Sequence, residues 1–267
     1  MLSALRDFIL GHERLFVLTG AGCSTASGIP DYRDGLGAWK RRQPMTFAAF
    51  MGSEAARKRY FARSLLGFSK ISAAEPNDAH RALAALEARG RIPLLVTQNV
   101  DGLHQAAGSQ NVVDLHGRID GLRCMGCGAI LSREKFQAEL VRLNPDFAAL
   151  EAGHAPDGDA DLEDVDFSRF VVPPCPACGG VLKPDVVFFG ESVPRERVEA
   201  AYAAVREADA VLVVGSSLMV YSGFRFVDEA ARLGKPCAAV NLGRTRADGL
   251  LALKLEADCA EALRFLL

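Results

Sequence analysis

Two C-x-x-C pairs constrain this chain more tightly than any other feature of its 267 residues. They are Cys124-Met-Gly-Cys127 and Cys175-Pro-Ala-Cys178, each followed by glycine. Two thiolates three residues apart grip one tetrahedral metal from a turn, and the glycine relieves the backbone there. Two such turns make a four-thiolate zinc site with protein sulfur in every position. No position is left for a substrate, so the expected metal is one structural Zn2+ on Cys124, Cys127, Cys175 and Cys178. A redox C-x-x-C is the alternative, and two pairs in matching context argue against it. The pairs are separated by 47 residues, a long spacer for a compact zinc ribbon. Cys23, Cys237 and Cys259 stand alone and are expected as buried small apolar residues.

Seven cysteines without an export signal fit metal or thiol chemistry better than a disulfide framework, which points to the cytoplasm. The opening stretch MLSALRDFILGHERL carries Arg6 and Asp7 inside its one short apolar run, unlike a signal peptide. No apolar run approaches the roughly 18 residues of a spanning helix, so no membrane partner is expected. Lys plus Arg is 31 and Asp plus Glu is 33, giving a net charge of −2. Nucleic-acid affinity rests on excess positive charge, so direct nucleic-acid binding is not expected. With 49% apolar residues the chain can bury a large core, which excludes disorder as its main state. Nothing in the sequence sets an oligomeric state.

Short apolar runs alternate with helical stretches. Leu15–Thr19, Ile92–Thr97, Val112–Leu115, Val186–Phe189, Ala210–Val214 and Cys237–Asn241 read as buried strands. Helices are expected over 1–12, 46–69, 195–208 and 223–233, and from Asn77 as N-cap to Gly90 as stop signal. This alternation predicts an α/β fold with a mostly parallel sheet and helices on both faces. Residues 119–181 break the rhythm and contain both cysteine pairs. Within them, the acidic segment 151–166 reads as a solvated loop. Residues 31–43 read as a polar loop, with Trp39, Lys40, Arg41 and Arg42 as a solvated basic stretch. His12 and His154 are expected to be exposed.

Gly20-Ala-Gly-Cys-Ser-Thr-Ala-Ser-Gly28 follows the first strand. Glycines there let backbone approach a pyrophosphate, but the spacing is not G-x-G-x-x-G. A tight turn of any α/β protein is the plainer reading. If the turn does hold a dinucleotide, the spacing argues for binding without hydride transfer. Ligands of an open parallel sheet lie beyond the carboxyl ends of its strands. Gln98, Asn99 and Asp101 follow the second strand, His116 the third, Gly215, Ser216 and Ser217 the fifth, and Asn241 the sixth. Each has a structural alternative as a turn, cap or satisfied histidine. Convergence of four strand ends on one edge is the argument for a site. His80 and His104 are expected to be structural.

In order along the chain, GAGCSTASGIPDYR at 20–33, TQNVDGLH at 97–104, LHG at 115–117, both cysteine pairs, KPDVVFFGE at 183–191, GSSL at 215–218 and VN at 240–241 resemble the sirtuins, which are NAD-dependent protein deacylases. The long spacer and RYFARSLLGF at 59–68 look most like bacterial class II members. The resemblance implies a Rossmann-type NAD domain over 1–43, 77–118 and 182–267, a helical insert over 44–76 and a small zinc-ribbon domain over 119–181. NAD and an acyl-lysine protein or peptide are the implied substrates. The turn Gly20, Ala21 and Gly22 would hold the pyrophosphate. Ile29, Asn99 and Asp101 would shape the nicotinamide pocket, with Asp31 and Arg33 in the cofactor loop. Gln98 and Asn99 would contact the reacting ribose. Gly215, Ser216, Ser217, Asn241 and Cys259 would hold the adenosine half. Val187, Phe188, Phe189 and Gly190 would dock the peptide as an added edge strand.

The implied catalytic residues are Asn99 and His116. His116 would act as general base on a ribose hydroxyl, and the products would be nicotinamide, free lysine and O-acyl-ADP-ribose. Tyr60-Phe-Ala-Arg63 keeps the Tyr-x-x-Arg spacing with which some relatives grip an acidic acyl group. A packed tyrosine with a solvated arginine is the alternative. Mono-ADP-ribosylation on the same scaffold, and a binding module without catalysis, are rival readings.

Overall fold

A computed structural model describes residues 2–40, 44–150, 153–154, 160–161 and 165–267. Arg41, Arg42 and most of the acidic segment 151–166 lie outside the described residues, as does the side chain of His154. In chain order the elements begin with α1 (Leu2–Gly11), β1 (Leu15–Thr19), α2 (Phe47–Gly52), α3 (Glu54–Ser72), α4 (Asp78–Ala88) and β2 (Leu94–Thr97). Next come α5 (Leu103–Ala106), β3 (Val112–Asp114), β4 (Gly117–Cys124), β5 (Ile130–Ser132), α6 (Arg133–Leu143), α7 (Pro145–Ala148) and the two-residue strands β6 (Gly153–His154) and β7 (Ala160–Asp161). The chain closes with β8 (Leu182–Val186), α8 (Arg195–Glu207), β9 (Ala210–Val214), α9 (Tyr221–Arg232), β10 (Cys237–Val240), β11 (Leu253–Leu255) and α10 (Cys259–Leu263).

Two compact units result. The first comprises Met1–Lys40, Ala74–Leu115 and Val193–Leu267. Its six strands run in the order β11-β10-β9-β1-β2-β3, and every neighbouring pair is parallel. In sequence order within the sheet this is 3-2-1-4-5-6, with the reversal between β1 and β9, the point where such sheets bind dinucleotides. Strand side chains alternate between faces. Leu15, Val17, Leu95, Leu212 and Val214 face one core with Leu5, Ile9, Leu83 and Leu86 from α1 and α4. Phe16, Leu18, Val96, Val211 and Val213 face another with Ala201, Val205, Phe226 and Val227 from α8 and α9. Each such Val, Leu, Ile or Phe side chain contributes roughly 1.5–3 kcal/mol on full burial. α4 starts where the sequence places it: Asn77 Oδ1 accepts the Ala79 N–H at 2.8 Å, and Gly90 follows the helix at φ +73°.

The second unit comprises Arg41–Ala73 and His116–Ser192. It holds the antiparallel sheet β5-β4-β8 and the helices α2, α3, α6 and α7. Aromatic residues fill its core: Phe50 meets Tyr60, Phe61 and Phe188 edge-on, with ring centroids 5.2–5.9 Å apart. Arg133 is fully buried, with its guanidinium over the Phe68 ring at 4.3 Å and a hydrogen bond to the Ser64 carbonyl at 3.3 Å. The four zinc-type cysteines also lie in this unit.

Three local expectations fail. The strand expected at 186–189 is β8 at 182–186, because the chain turns after Val186: the Phe188 N–H donates to the Glu191 carboxylate and the Glu191 N–H donates back to the Phe188 carbonyl. His12 is half-buried, with Nδ1 2.7 Å from the Phe8 carbonyl. Trp39 and Lys40 are not a plain solvated stretch. Trp39 is half-buried and packs edge-on against Tyr32, whereas Lys40 is exposed as expected and pairs with Asp31. No helix among the described residues is long and apolar enough to cross a membrane.

Candidate active site

At the sheet reversal the turns after β1 and β9 meet backbone to backbone. The Gly20 N–H donates to the Val214 carbonyl at 3.0 Å, and the Gly22 N–H to the Gly215 carbonyl at 2.8 Å. A Cβ on Gly215, which sits at φ +64°, would lie 2.1 Å from the Cys23 nitrogen. One on Gly20 would lie 2.8 Å from Ser216 Cβ. The glycines are therefore required by the closeness of the two turns. Ala21 follows in a short 3-10 turn and is half-buried.

A polar network covers this edge of the first unit. Gln98 Nε2 donates to Ser216 Oγ at 2.7 Å. Asn99 Nδ2 donates to the Gly20 carbonyl at 3.1 Å and to Ser24 Oγ at 3.0 Å. Ser24 in turn donates to Asp101 at 2.8 Å, and the other Asp101 oxygen accepts the Leu103 N–H at 2.9 Å. Ser216 Oγ also accepts the Leu218 N–H, which holds Leu218 at φ +58°. Asn241 is buried and donates to the Leu242 carbonyl at 2.9 Å. Cys259 is buried behind β10, and burial pushes its thiol up to about 12. Ser217 contributes its carbonyl to the Arg246 N–H. In the loop beyond, Ile29 is half-buried, and Asp31 is paired with Lys40. Arg33 lies over the Trp39 ring at 3.9 Å and donates to the Gly37 carbonyl at 2.7 Å.

The structure thus gathers Gly20, Ala21, Gly22, Gln98, Asn99, Asp101, Gly215, Ser216 and Asn241 on one rim. Hydroxyl, carboxamide and carboxylate groups beside closely packed glycine turns suit a ribose-bearing dinucleotide. Sequence reasoning missed Ser24, the hub joining Asn99 to Asp101. It also missed Thr19 and Thr97, which sit in register and share a 2.8 Å hydroxyl bond. Their signal was the hydrogen-bonding residue ending each apolar run.

In the second unit, His116 is half-buried immediately before β4. Its carbonyl accepts the Val187 N–H at 2.7 Å. Gly117 sits at φ +83°, and a Cβ there would lie 2.0 Å from the Asp185 carbonyl oxygen. The backbone carrying His116 is therefore clamped against Asp185–Val187, which leads into the segment Val187–Gly190. That segment is itself held by a buried ion pair. Lys183, 4% exposed, meets Glu191 at 3.1 Å, and the same carboxylate accepts the Phe188 N–H at 2.9 Å. Phe189 bridges to Thr46, and Gly190 turns at φ +79°. Tyr60 packs at a tilt against Phe188 with centroids 5.3 Å apart, and Arg63 lies on the same helix, α3.

The cysteine cluster fits zinc. Sγ atoms of Cys124 and Cys178 are 3.4 Å apart, those of Cys127 and Cys175 are 3.9 Å apart, and all four lie within 4.8 Å. Sulfurs of a tetrahedral zinc site lie about 3.8 Å apart for bonds of about 2.3 Å. Backbone N–H groups of Cys127 and Gly126 point at Cys124 Sγ and hold that thiol down to about 6, favouring the thiolate a metal needs. A Cβ on Gly180 would lie 3.0 Å from Cys124 Sγ, so glycine keeps the knuckle open.

The model described as Sir2 family matches residues 20–222. An NAD-dependent protein deacetylase of Xanthomonas axonopodis pv. citri is 68% identical over 262 residues, covering 98% of this chain and 89% of that protein. One of Bordetella bronchiseptica is 66% identical, covering 98% of this chain and 96% of that protein. Among solved structures, "Sir2-p53 peptide-NAD+" superposes with a TM-score of 0.80 at 28% identity, covering 100% of this chain and 97% of that one. "Sir2 bound to acetylated peptide" gives 0.78 at 28% identity, with the same coverage.

Proposed function

Because this chain belongs to the Sir2 family and is an NAD-dependent protein deacetylase, we propose that His116 is the general base of its reaction and that an acyl-lysine peptide docks along Val187–Gly190. One observation carries the reading. The His116 carbonyl is hydrogen-bonded to Val187 at 2.7 Å, so the imidazole is carried by backbone fixed to the docking segment. Bound NAD supplies a glycosidic bond whose cleavage releases nicotinamide. The His116 imidazole accepts a proton from a ribose hydroxyl, which attacks the acyl carbon, and one water is consumed as free lysine and O-acyl-ADP-ribose are released. Asn99 and Gln98 orient the reacting ribose, and Asn99 is itself fixed by Gly20 and Ser24. Ile29, Asp31, Arg33 and Asp101 close around the nicotinamide end. Gly20, Ala21 and Gly22 hold the pyrophosphate, and Gly215, Ser216, Ser217, Asn241 and Cys259 hold the adenosine. The zinc on Cys124, Cys127, Cys175 and Cys178 is structural.

The test is His116→Ala with NAD and an acetyl-lysine peptide. Turnover is lost while NAD binding, measured by calorimetry, stays near wild type. Near-normal deacetylation by this variant overturns the assignment.

A second reading concerns the acyl chain. Tyr60 packs against Phe188 of the docking segment, and Arg63 is one helical turn away, on the same helix face. This pair supports recognition of an acyl group ending in a carboxylate. Arg63→Met then lowers kcat/KM for a succinyl-lysine peptide while leaving that for an acetyl-lysine peptide in place. Equal effects on both peptides refute it. The 59–68 stretch and the long spacer between the cysteine pairs support a class II assignment. Seven cysteines, none of them in a disulfide, support a cytoplasmic location.

A further inference from the structure

Beneath the glycine turn of the first unit lies a second cluster of metal-ligand chemistry. Cys23, His80 and His104 are each at most 1% exposed. One donor atom from each lies within 4.8 Å of the other two. The imidazole rings meet edge-on, with centroids 4.8 Å apart.

The hydrogen bonds decide which nitrogens are available. Thr19 donates its hydroxyl proton to Thr97, so Thr19 Oγ1 accepts from His104 Nε2 at 2.8 Å. The proton of neutral His104 is therefore on Nε2, and Nδ1 is left with a bare lone pair. That nitrogen is buried and has no hydrogen-bond partner. A buried acceptor without a donor is uncommon and calls for an explanation. His80 Nδ1 accepts the Asn77 N–H at 3.2 Å, which leaves Nε2 as its second nitrogen. Nε2 has only a long 3.4 Å contact to Ser24 Oγ, whose own proton goes to Asp101. Burial holds both imidazoles neutral, His104 to about 3 and His80 to about 4.

We propose that Cys23, His80 and His104 form a second metal site that takes a thiophilic divalent ion such as Zn2+. One thiolate and two neutral imidazoles are a donor set suited to zinc, and three protein ligands leave a fourth position for water. On binding, the Cys23 S–H bond breaks and the sulfur–metal bond forms, with the proton released to solvent. His104 donates its bare Nδ1 lone pair while Nε2–H stays on Thr19. This is the outer hydrogen bond that metal-bound histidines ordinarily make. His80 ligates through Nε2 after its proton moves to Nδ1, at the expense of the Asn77 capping hydrogen bond. The site differs from the four-thiolate cluster in donor set and lies in the other unit, so the two are separable by experiment.

The test counts metal. The protein carrying its structural zinc is equilibrated with buffered excess Zn2+, freed of loose metal and analysed for zinc per chain. Wild type is expected to hold two and Cys23→Val one. His104→Gln, which keeps a polar side chain but removes the Nδ1 donor, is expected to hold the second zinc at least tenfold more weakly. Cadmium NMR of fully exchanged wild type gives a readout that needs no variant. Two resonances are expected, one from a four-thiolate site and one from a single-thiolate site with nitrogen ligands. One zinc per chain in wild type at saturating free zinc overturns the proposal. So does a second zinc that survives Cys23→Val unchanged, or a lone four-thiolate cadmium resonance.

Discussion

The two buried histidines make acid stability a quantitative test of the fold. His104 is held to about 3, chiefly by burial and secondarily by His80. His80 is held to about 4, again chiefly by burial. In an unfolded chain both titrate near roughly 6.5. A base whose folded pKa is depressed binds protons more readily when unfolded, so stability falls as pH drops below the unfolded value. The loss begins near pH 6.5 and continues until the folded values near 4 and 3 are reached. Between pH 7 and pH 5 linkage gives about 2 kcal/mol for each histidine, or about 4 kcal/mol together. Against total stabilities of roughly 5–15 kcal/mol that is a large fraction. The assay is urea unfolding at pH 7, 6 and 5 for wild type and His104→Gln, both prepared with one zinc per chain so that Cys23, His80 and His104 are metal-free. The wild-type loss should exceed the variant's by about 2 kcal/mol, and taking the difference removes contributions from the zinc thiolates. Parallel pH profiles for the two proteins would show that His104 is not neutral and buried as placed.

Other outcomes follow from the same contacts. Chelation of the zinc should lower the melting temperature and unfold the second unit before any chemical step slows in protein that remains folded. Loss of catalysis with full structure retained, followed by circular dichroism, would contradict a structural role. Gly215→Ala places a Cβ 2.1 Å from the Cys23 nitrogen, so NAD affinity measured by calorimetry should fall by more than tenfold. Unchanged affinity would mean that the two turns need not touch. Glu191→Gln removes the charge paired with Lys183 and weakens the acceptor of the Phe188 N–H. It should raise KM for the peptide several-fold with little change in KM for NAD, and equal effects on both would indicate a general loss of folding.

The sheet was largely legible because its strands are uninterrupted apolar runs, as strands buried on both faces must be. Leu15–Thr19 and Ala210–Val214 appear with the expected bounds. The Asn77 cap was legible because its partner, the Ala79 N–H, is local. The strand near Val186 was misplaced because Val-Val-Phe-Phe has strand composition, while the turn that ends β8 depends on the Glu191 carboxylate reaching back to Phe188. Rim residues at strand ends could be read one by one. Their connection through Ser24 could not, since Asn99 and Asp101 lie 75 and 77 residues away in the chain. The Cys23–His80–His104 cluster was hidden for the same reason. A lone cysteine and two isolated histidines carry no spacing signal until the fold brings them together.

Removal of the His116 imidazole should separate the two halves of the reaction. With wild type, an acetyl-lysine peptide and labelled nicotinamide, label enters NAD and O-acetyl-ADP-ribose accumulates. With His116→Ala the proton acceptor for the ribose hydroxyl is gone, so O-acetyl-ADP-ribose should fall by at least a hundredfold while label still exchanges into NAD. O-acetyl-ADP-ribose formed at a near wild-type rate would contradict the role given to His116.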